Sequence, residues 1–395
     1  MEGYFKDWAA SCRRELLENV MPFWLKNGWD REHGGVYTCV NRDGSLMDPT
    51  KSGWFQGRFA FTCSYVYNAV ERREEFLAAA KSTLDFIEAH LFDKRGRAYF
   101  TLTADGTPLR MRRYVFSECF AAIAMSEYAK ATGDRAWAEK ALALFKRIRS
   151  FVGDDAMMPP KFEPAFKAQG HSLTMILINV ALRLKDVVSD PALDGQIDAS
   201  VRSLFDHFVH PEFKCVLETV GPNGEFIDTI DGRTINPGHA IETSWFLMEV
   251  AEQRGDKALL ARALEVLDWS LAWGWDTDCG GGGIISFRDC RGLPPQCYEQ
   301  DMKFWWPQCE AIIATAYAYK LTGDRKYQKW HRLASTWAWK HLKDRKYPEW
   351  YGYLHRDGTV AQPAKGNLFK GPFHIPRMLV KSIEICEDIE KETRR

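Results

Sequence analysis

A short string that recurs three times constrains the fold of this 395-residue chain most strongly. Gly-Asp pairs stand at Gly133-Asp134, Gly255-Asp256 and Gly323-Asp324, each after an apolar stretch and before an amphipathic one. Glycine suits the left-handed residue that ends a helix, and aspartate suits the cap of the next helix. Each string therefore predicts a junction between a buried inner helix and a half-exposed outer helix.

Short β-type runs follow the outer helices, and most of them end in Asp-Gly or Asn-Gly. Such runs predict hairpin-like excursions from the helical array. They occupy residues 29–44, 92–106, 209–224, 275–285 and 347–358, and residues 157–160 fill the remaining place in degenerate form.

The inner helices are expected to begin near residues 56, 117, 171, 239, 307 and 375. A regular spacing of this kind indicates a repeat architecture, in which no single unit buries its apolar face alone. No linker-like segment interrupts the chain. We therefore expect one domain, 1–395, with an all-α fold: an (α/α)6 barrel of six helical hairpins with short β-hairpin excursions at one end.

Composition and charge exclude several classes of protein. The chain has 53 basic and 53 acidic residues and is 46% hydrophobic, so neither a nucleic-acid-binding protein nor a disordered one is expected. No segment is long and apolar enough for a membrane span, and the start has no signal-peptide pattern, so we expect a cytoplasmic protein.

The ten cysteines contain no CxxC pair, which favours buried reduced thiols. Only Cys279, Cys290, Cys297 and Cys309 cluster in the sequence, and we predict no metal site.

Parallel inner helices would bring their N-termini, and the positive ends of their dipoles, to one mouth of the ring. The residues expected there are Arg58, Glu118, His171, His239, Glu242, Glu310 and His374.

The run Asn236-Pro237-Gly238-His239 predicts a capped helix with His239 in its first turn and Glu242 three residues later on the same face. A carboxylate there could orient a proton-transferring imidazole, but a capping or packing role for both residues is equally open. His374 stands just before Pro376 at the last inner helix and would approach from another side of the ring. Two opposed bases could deprotonate and reprotonate one carbon.

Other catalytic patterns have little support in the sequence. No GxSxG or Cys-His pattern indicates a nucleophilic triad. Residues Gly280–Gly283 lack the GK[ST] of a phosphate loop.

Four motifs resemble those of the N-acylglucosamine 2-epimerase family: WFQGR at 54–58, RTINPGHAIE at 233–242, WWPQCEA at 305–311 and FKGPFHIPR at 369–377. The resemblance implies an (α/α)6 barrel with His239 and His374 as catalytic histidines. It implies substrate-binding roles for Arg58, Glu242, Glu310, Trp306 and Arg233.

The reaction implied by the resemblance interconverts N-acetyl-D-glucosamine and N-acetyl-D-mannosamine as open-chain sugars. One histidine removes the C2 proton, and the other returns a proton to the opposite face. We assign His374 to proton removal from N-acetylglucosamine and His239 to the reverse direction. Arg58 would stabilise negative charge on the C1 oxygen, and the glutamates would orient a histidine or substrate hydroxyls.

The third inner helix bears on the branch of the family. The isomerases and cellobiose epimerases resemble each other in having a further histidine where this chain has Ile176, and His171 lies more than one turn earlier. This favours the N-acyl branch. The resemblance to that branch implies a homodimer that needs no cofactor for its chemistry and that ATP can activate without being consumed, although no phosphate loop supports ATP binding.

Three alternatives remain open. The first is an aldose–ketose isomerase or a cellobiose or mannose 2-epimerase on the same scaffold. The second is a glycoside hydrolase that uses Glu118, Glu242 or Glu310, and the third is a non-catalytic binding protein.

Overall fold

Helices make up most of the computed structural model, which describes residues 3–163, 165–278 and 281–393. In chain order the helices are α1 (Tyr4–Glu15), α2 (Met21–Asn27), α3 (Gly53–Ala69), α4 (Glu74–Phe86), α5 (Phe116–Thr132), α6 (Arg135–Phe151), α7 (His171–Lys185), α8 (Pro191–Ser203), α9 (Pro237–Arg254), α10 (Lys257–Gly274), α11 (Trp305–Thr322), α12 (Arg325–His341) and α13 (His374–Thr393). Five-residue π-helical turns follow α1, α4 and α8, at Leu16–Val20, Ile87–Leu91 and Leu204–Phe208.

Six of these helices form the inner ring: α3, α5, α7, α9, α11 and α13. Each packs against the next one along the chain, and α13 packs against α3, so the ring closes. The outer helices lie against them, with α1 beside α13. This arrangement confirms the predicted (α/α)6 barrel, and every inner helix begins within three residues of its expected start.

The three Gly-Asp junctions have the predicted geometry. Gly133, Gly255 and Gly323 have φ values of 72°, 64° and 67°, in the left-handed region that L residues rarely adopt. The following aspartates accept hydrogen bonds from the first turns of α6, α10 and α12, at Ala136, Leu259 and Lys326. These local signals therefore fix where an inner helix ends and an outer one begins.

The strands are short and stand at one end of the ring. They are β1 (Cys39–Val40), β2 (Leu46–Asp48), β3 (Lys51–Ser52), β4 (Tyr99–Leu102), β5 (Pro108–Met111), β6 (Gln169–Gly170), β7 (Val209–His210), β8 (Cys215–Val216), β9 (Thr219–Val220), β10 (Thr234–Ile235), β11 (Arg288–Asp289), β12 (Lys303–Phe304), β13 (Tyr353–Leu354) and β14 (Val360–Gln362).

Antiparallel pairing confirms the predicted excursions. The pairs are β1–β2, β4–β5, β7–β8 and β13–β14, with an isolated bridge between Trp275 and Ile284 in the fifth excursion. Residues 157–160 contain no strand, consistent with the degenerate pattern there.

Side chains from the inner helices hold three of these excursions by their backbone. The Gln56 amide bonds both the N–H and the C=O of Val36, and the Gln308 amide does the same to Ile284. Glu118 takes the equivalent place on α5, where it accepts from the backbone N–H of Ala98 and from the Arg97 guanidinium. The Glu118 carboxylate therefore supports the fold.

Buried ion pairs fix two excursions to the strands that lead into inner helices. The Lys51 ammonium lies 2.7 Å from the Asp30 carboxylate, and the Lys303 ammonium lies 3.0 Å from that of Asp276. All four side chains are almost fully buried, so each lysine charge depends on its carboxylate for compensation.

Eight of the nine cysteines that the structure describes are buried, as predicted, and Cys297 is exposed. Cys279, from the sequence cluster, and Gly280 lie outside the described residues. Within the described ranges, no helix is long and apolar enough to cross a bilayer.

Candidate active site

Two histidines from different helices face a tryptophan at the mouth of the ring. His239 lies in the first turn of α9, after the Asn236 cap, and His374 is the first residue of α13. The Trp306 ring on α11 lies next to both, with its centroid 5.1 Å from the His239 ring and 5.8 Å from the His374 ring. The barrel of inner helices thus brings residues from three separate sequence motifs together.

Trp306 reaches this position because residue 238 has no side chain. A Cβ atom at Gly238 would lie 2.6 Å from Cη2 and Cζ3 of Trp306 and 2.9 Å from Cγ of Pro307. These distances are shorter than carbon–carbon contact allows. Gly238 is therefore required by the close approach of α9 and α11.

His374 is held as a neutral base. Its Nδ1 lies 2.8 Å from Oε1 of Glu310, so the hydrogen-bond geometry assigns the ring proton to Nδ1 and leaves Nε2 as the acceptor. Burial, together with the nearby positive charges of Arg377 and Arg58, lowers the pKa of His374 well below its usual value. The imidazole is therefore unprotonated at neutral pH and able to accept a proton.

Glu310 is the centre of a buried network beneath His374. Its carboxylate accepts from Nη2 of Arg377 at 2.6 Å and from the Trp245 indole N–H at 2.9 Å, in addition to His374. Nη2 of Arg377 also donates to Glu242 at 2.6 Å. Thus Glu242 pairs with Arg377, whereas its spacing had suggested that it would orient His239.

His239 has the opposite electrostatic setting. Its Nδ1 lies 3.0 Å from Oε2 and 3.1 Å from Oε1 of Glu218. Burial disfavours the charged ring, but the Glu218 carboxylate outweighs it, with a smaller contribution from Glu242, and raises the pKa of His239 above its usual value. His239 is therefore suited to carry a proton near neutral pH.

Glu218 is the site residue that sequence reasoning missed. It lies between β8 and β9, in an excursion expected only to form a hairpin. Burial opposes its charge, but His239 and His171 hold the pKa of the Glu218 carboxyl well below its usual value. The available signal was a lone carboxylate within a run of buried residues, CVLETV at 215–220, because a buried charge requires a partner.

Arg58 lies in an aromatic box. Its guanidinium carbon is 4.0 Å from the Phe120 ring centroid and 4.5 Å from that of Phe373. Its Nε is buried without a hydrogen-bond partner, and within the described ranges no carboxylate forms an ion pair with it. Burial and the neighbouring Arg377 lower the pKa of Arg58, although a guanidinium keeps its charge at neutral pH. The cation is left free to bind an anionic oxygen of a ligand.

Arg233 and Ile176, which the sequence also singles out, form no hydrogen bond with either histidine among the described residues. The Arg233 guanidinium donates to Asp289 at 2.8 Å and to Asp228 at 2.9 Å, next to β10. Its substrate-binding role stays a prediction. Ile176 is buried on α7.

Two groups of described residues have side-chain donor atoms close enough together for a metal ion. One consists of His171, Glu218 and His239, and the other of Glu242, Glu310 and His374. Neither group contains a cysteine, so the sequence cluster of cysteines contributes to no such group in the described part of the chain.

Comparison with known proteins gives concordant matches over nearly the whole chain. Residues 34–371 match the model of the family described as N-acylglucosamine 2-epimerase. The chain is similar to the N-acylglucosamine 2-epimerase of Bos taurus, with 36% identity over 391 residues that cover 97% of this chain and 91% of that protein. It is 34% identical over 393 residues to the Homo sapiens N-acylglucosamine 2-epimerase, covering 97% and 90% of the two chains.

The fold is similar to that of the cellobiose 2-epimerase from Spirochaeta thermophila DSM 6192. The TM-score is 0.85 at 20% sequence identity, and the match covers 98% of this chain and 99% of that chain. At this identity the likeness concerns the fold alone.

Proposed function

Because the chain belongs to the N-acylglucosamine 2-epimerase family and is a carbohydrate epimerase, we propose that it interconverts N-acetyl-D-glucosamine and N-acetyl-D-mannosamine. The reaction inverts C2 of the open-chain sugar. The C1 aldehyde makes the C2 proton acidic, so the enzyme has to supply a base, an acid on the opposite face, and a cation near the C1 oxygen.

In the direction from N-acetylglucosamine, Nε2 of His374 takes the C2 proton. The electron pair of the broken C–H bond forms the C1–C2 double bond, and the negative charge moves to the C1 oxygen, which the Arg58 guanidinium stabilises. His239 then gives a proton to the other face of C2, and the double bond reverts to the aldehyde. The product is N-acetylmannosamine, with His374 protonated and His239 neutral.

The observation that carries this proposal is the opposite pKa shift of two histidines that both lie next to Trp306. The pKa of His374 is lowered by burial and by Arg377, and the pKa of His239 is raised by Glu218. These opposite shifts favour a neutral His374 and a protonated His239, which is the pair of protonation states that a two-base inversion needs before it begins.

The carboxylates favour epimerisation over glycoside hydrolysis. A hydrolase needs an acid and a base that face each other across a cleft. Here Glu118 pairs with Arg97, Glu242 pairs with Arg377, and Glu310 is shared by Arg377 and His374. Each of these carboxylates is already engaged by a cation or by the imidazole.

Exchange of the C2 proton with solvent tests the proposal directly. Incubation with N-acetylmannosamine in D2O should give N-acetylglucosamine that carries deuterium at C2, as followed by proton NMR. His239→Asn and His374→Asn should abolish epimerisation, whereas His355→Asn, which alters an exposed histidine, should not. Inertness toward both N-acetyl sugars, with conversion of mannose to fructose, would refute the proposed substrate and support an isomerase.

The buried Ile176 on α7 also supports the N-acyl substrate, because the resemblance associates a histidine there with the isomerases and cellobiose epimerases. We further propose, from the same resemblance, that the protein is a homodimer and that ATP activates it without being consumed. Running the exchange assay with and without ATP, and measuring the mass in solution by light scattering, tests both proposals.

A further inference from the structure

His171, Glu218 and His239 form a compact group of two imidazoles and one carboxylate beside the proposed reaction site. Oε1 of Glu218 lies 3.1 Å from Nδ1 of His239 and 3.4 Å from Nδ1 of His171. Side-chain donor atoms from the three residues lie within 4.8 Å of one another. Nitrogen and oxygen ligands about 2.0–2.2 Å from a tetrahedral Zn²⁺ lie about 3.3–3.5 Å apart, so the two contacts of Glu218 are already close to the spacing that an ion needs.

The backbone holds these three residues in place. His171 begins α7, His239 lies in the first turn of α9, and Glu218 lies between β8 and β9. The His171 N–H donates to the Glu218 carbonyl at 3.1 Å, which ties two of the ligand-bearing segments together. Ligands on segments that are already fixed reduce the ordering cost of binding an ion.

A further contact orients the His171 ring. Its Nε2 lies 3.1 Å from the Thr243 hydroxyl on α9, so Nδ1 faces Glu218. The ring itself is fully buried. A partner on the second ring nitrogen is the usual support for a metal-binding histidine.

The second group of donors, Glu242, Glu310 and His374, is less suited to a metal ion. Arg377 donates to both of its carboxylates at 2.6 Å and so already supplies the positive charge. By contrast, no lysine or arginine in the described ranges pairs with Glu218. Arg377 keeps its charge and would repel a metal ion at the second group, whereas the positive charge at the first group is a proton on His239, which a metal ion can replace.

We propose that His171, Glu218 and His239 form a Zn²⁺ site whose occupation inhibits the enzyme. Two histidines and one glutamate are a ligand set that zinc accepts, with water as the fourth ligand. The side chains of His239 and Glu218 are 27% and 18% exposed, which gives the ion a path from solvent.

The inhibition rests on the proposed function, whereas the metal site does not. Zinc on Nδ1 of His239 replaces the proton there and leaves a neutral ring with one proton on Nε2. The ring can release that proton only by becoming an imidazolate, so His239 no longer exchanges a proton with C2. The positive ends of α7 and α9 also face the site and weaken cation binding, which favours reversible occupation.

Zinc binding is measured directly by isothermal titration of the full chain with Zn²⁺ alone, and by the rise in melting temperature that a ligand of the native state causes. Wild type should bind one ion per chain at this site. Glu218→Gln and His171→Asn should each lose that binding and the associated rise. Mg²⁺, which prefers octahedral oxygen ligands, should not compete.

Glu212→Gln is the matched control. His210 and Glu212 form a comparable pair, 3.0 Å apart, but Glu212 is exposed and the pair belongs to neither group of three donors. This variant should bind zinc as wild type does. Loss of zinc binding in Glu212→Gln, or zinc binding that is retained in both Glu218→Gln and His171→Asn, would overturn the proposal of a zinc site at these residues.

The zinc-free exchange assay separates this inference from the proposed function. Active wild type that binds no zinc, or that remains active when zinc occupies the site, refutes the inference alone. Wild type that binds zinc through Glu218 but exchanges no C2 proton refutes the proposed function and leaves the metal site standing.

Discussion

Replacing Gly238 with alanine tests the arrangement of the two histidines around Trp306 without changing a charge. The added Cβ would lie 2.6 Å from two atoms of the Trp306 ring. Ordinary carbon contacts are about 3.5–4.0 Å, so the indole has to withdraw by about 1 Å. Overpacking of this kind costs about 1–3 kcal/mol. A displacement of that size next to reacting groups reduces turnover about 100-fold.

The assay is the rate of C2 deuterium exchange, with thermal unfolding measured in parallel. Gly195→Ala is the matched control, because Gly195 lies in α8 and a Cβ there has no atom within 4 Å. Alanine at that position should stabilise the helix by about 0.5–1 kcal/mol and leave turnover unchanged. Wild-type turnover in Gly238→Ala, or an equal loss in Gly195→Ala, would refute the reasoning.

Three further changes probe the supports of the site. Glu310→Gln should lower stability by about 3 kcal/mol and turnover sharply, as urea unfolding and the exchange assay would measure, because Arg377 loses a buried counter-charge. Gln308→Ala should cost about 2 kcal/mol in urea unfolding, because two backbone groups of Ile284 lose their partner. Burial opposes the charge of Asp276, but its ion pairs lower the pKa of the carboxyl to about 2. Asp276 should therefore stabilise the fold by about 2 kcal/mol above pH 4. Unfolding measured at a series of acidic pH values should show this stability disappearing as the pH falls toward 2.

Controls for these variants come from exposed positions. Glu299→Gln and Gln253→Ala should leave stability nearly unchanged, because both side chains are exposed. Asp276→Asn should reduce the loss of stability between pH 4 and pH 2, whereas Asp278→Asn should not. An unaltered Glu310→Gln or Gln308→Ala would contradict the buried networks. A profile for Asp276→Asn that matches wild type would contradict the role given to its charge.

Local signals predicted the helical repeat because each depends on residues that are neighbours in sequence. The caps at Asp134, Asp256 and Asp324 bond residues two or three positions away. Binary patterning then assigned inner and outer helices, and six such hairpins with no linker between them predicted a single barrel.

The partners within the site could not be predicted in this way. Glu242 lies three residues from His239, but its carboxylate bonds Arg377, 135 residues away. Glu218 reaches His239 from a separate excursion. Such pairings depend on how the ring brings six helix ends together. The spacing of residues along one helix contains no information about which residues of other helices lie nearby.

Ring closure also determines when the site can exist during folding. The Thr62 hydroxyl on α3 donates to the Pro372 carbonyl at 2.7 Å across 310 residues of sequence, and α13 carries both His374 and Arg377. Contacts of such long sequence separation form late, because the intervening loop entropy must first be lost. A chain whose first five hairpins have folded still lacks His374, the proposed base, and Arg377, the cation that joins Glu242 to Glu310. Recovery of epimerisation on refolding should therefore follow the slowest structural phase and serve as a kinetic measure of closure.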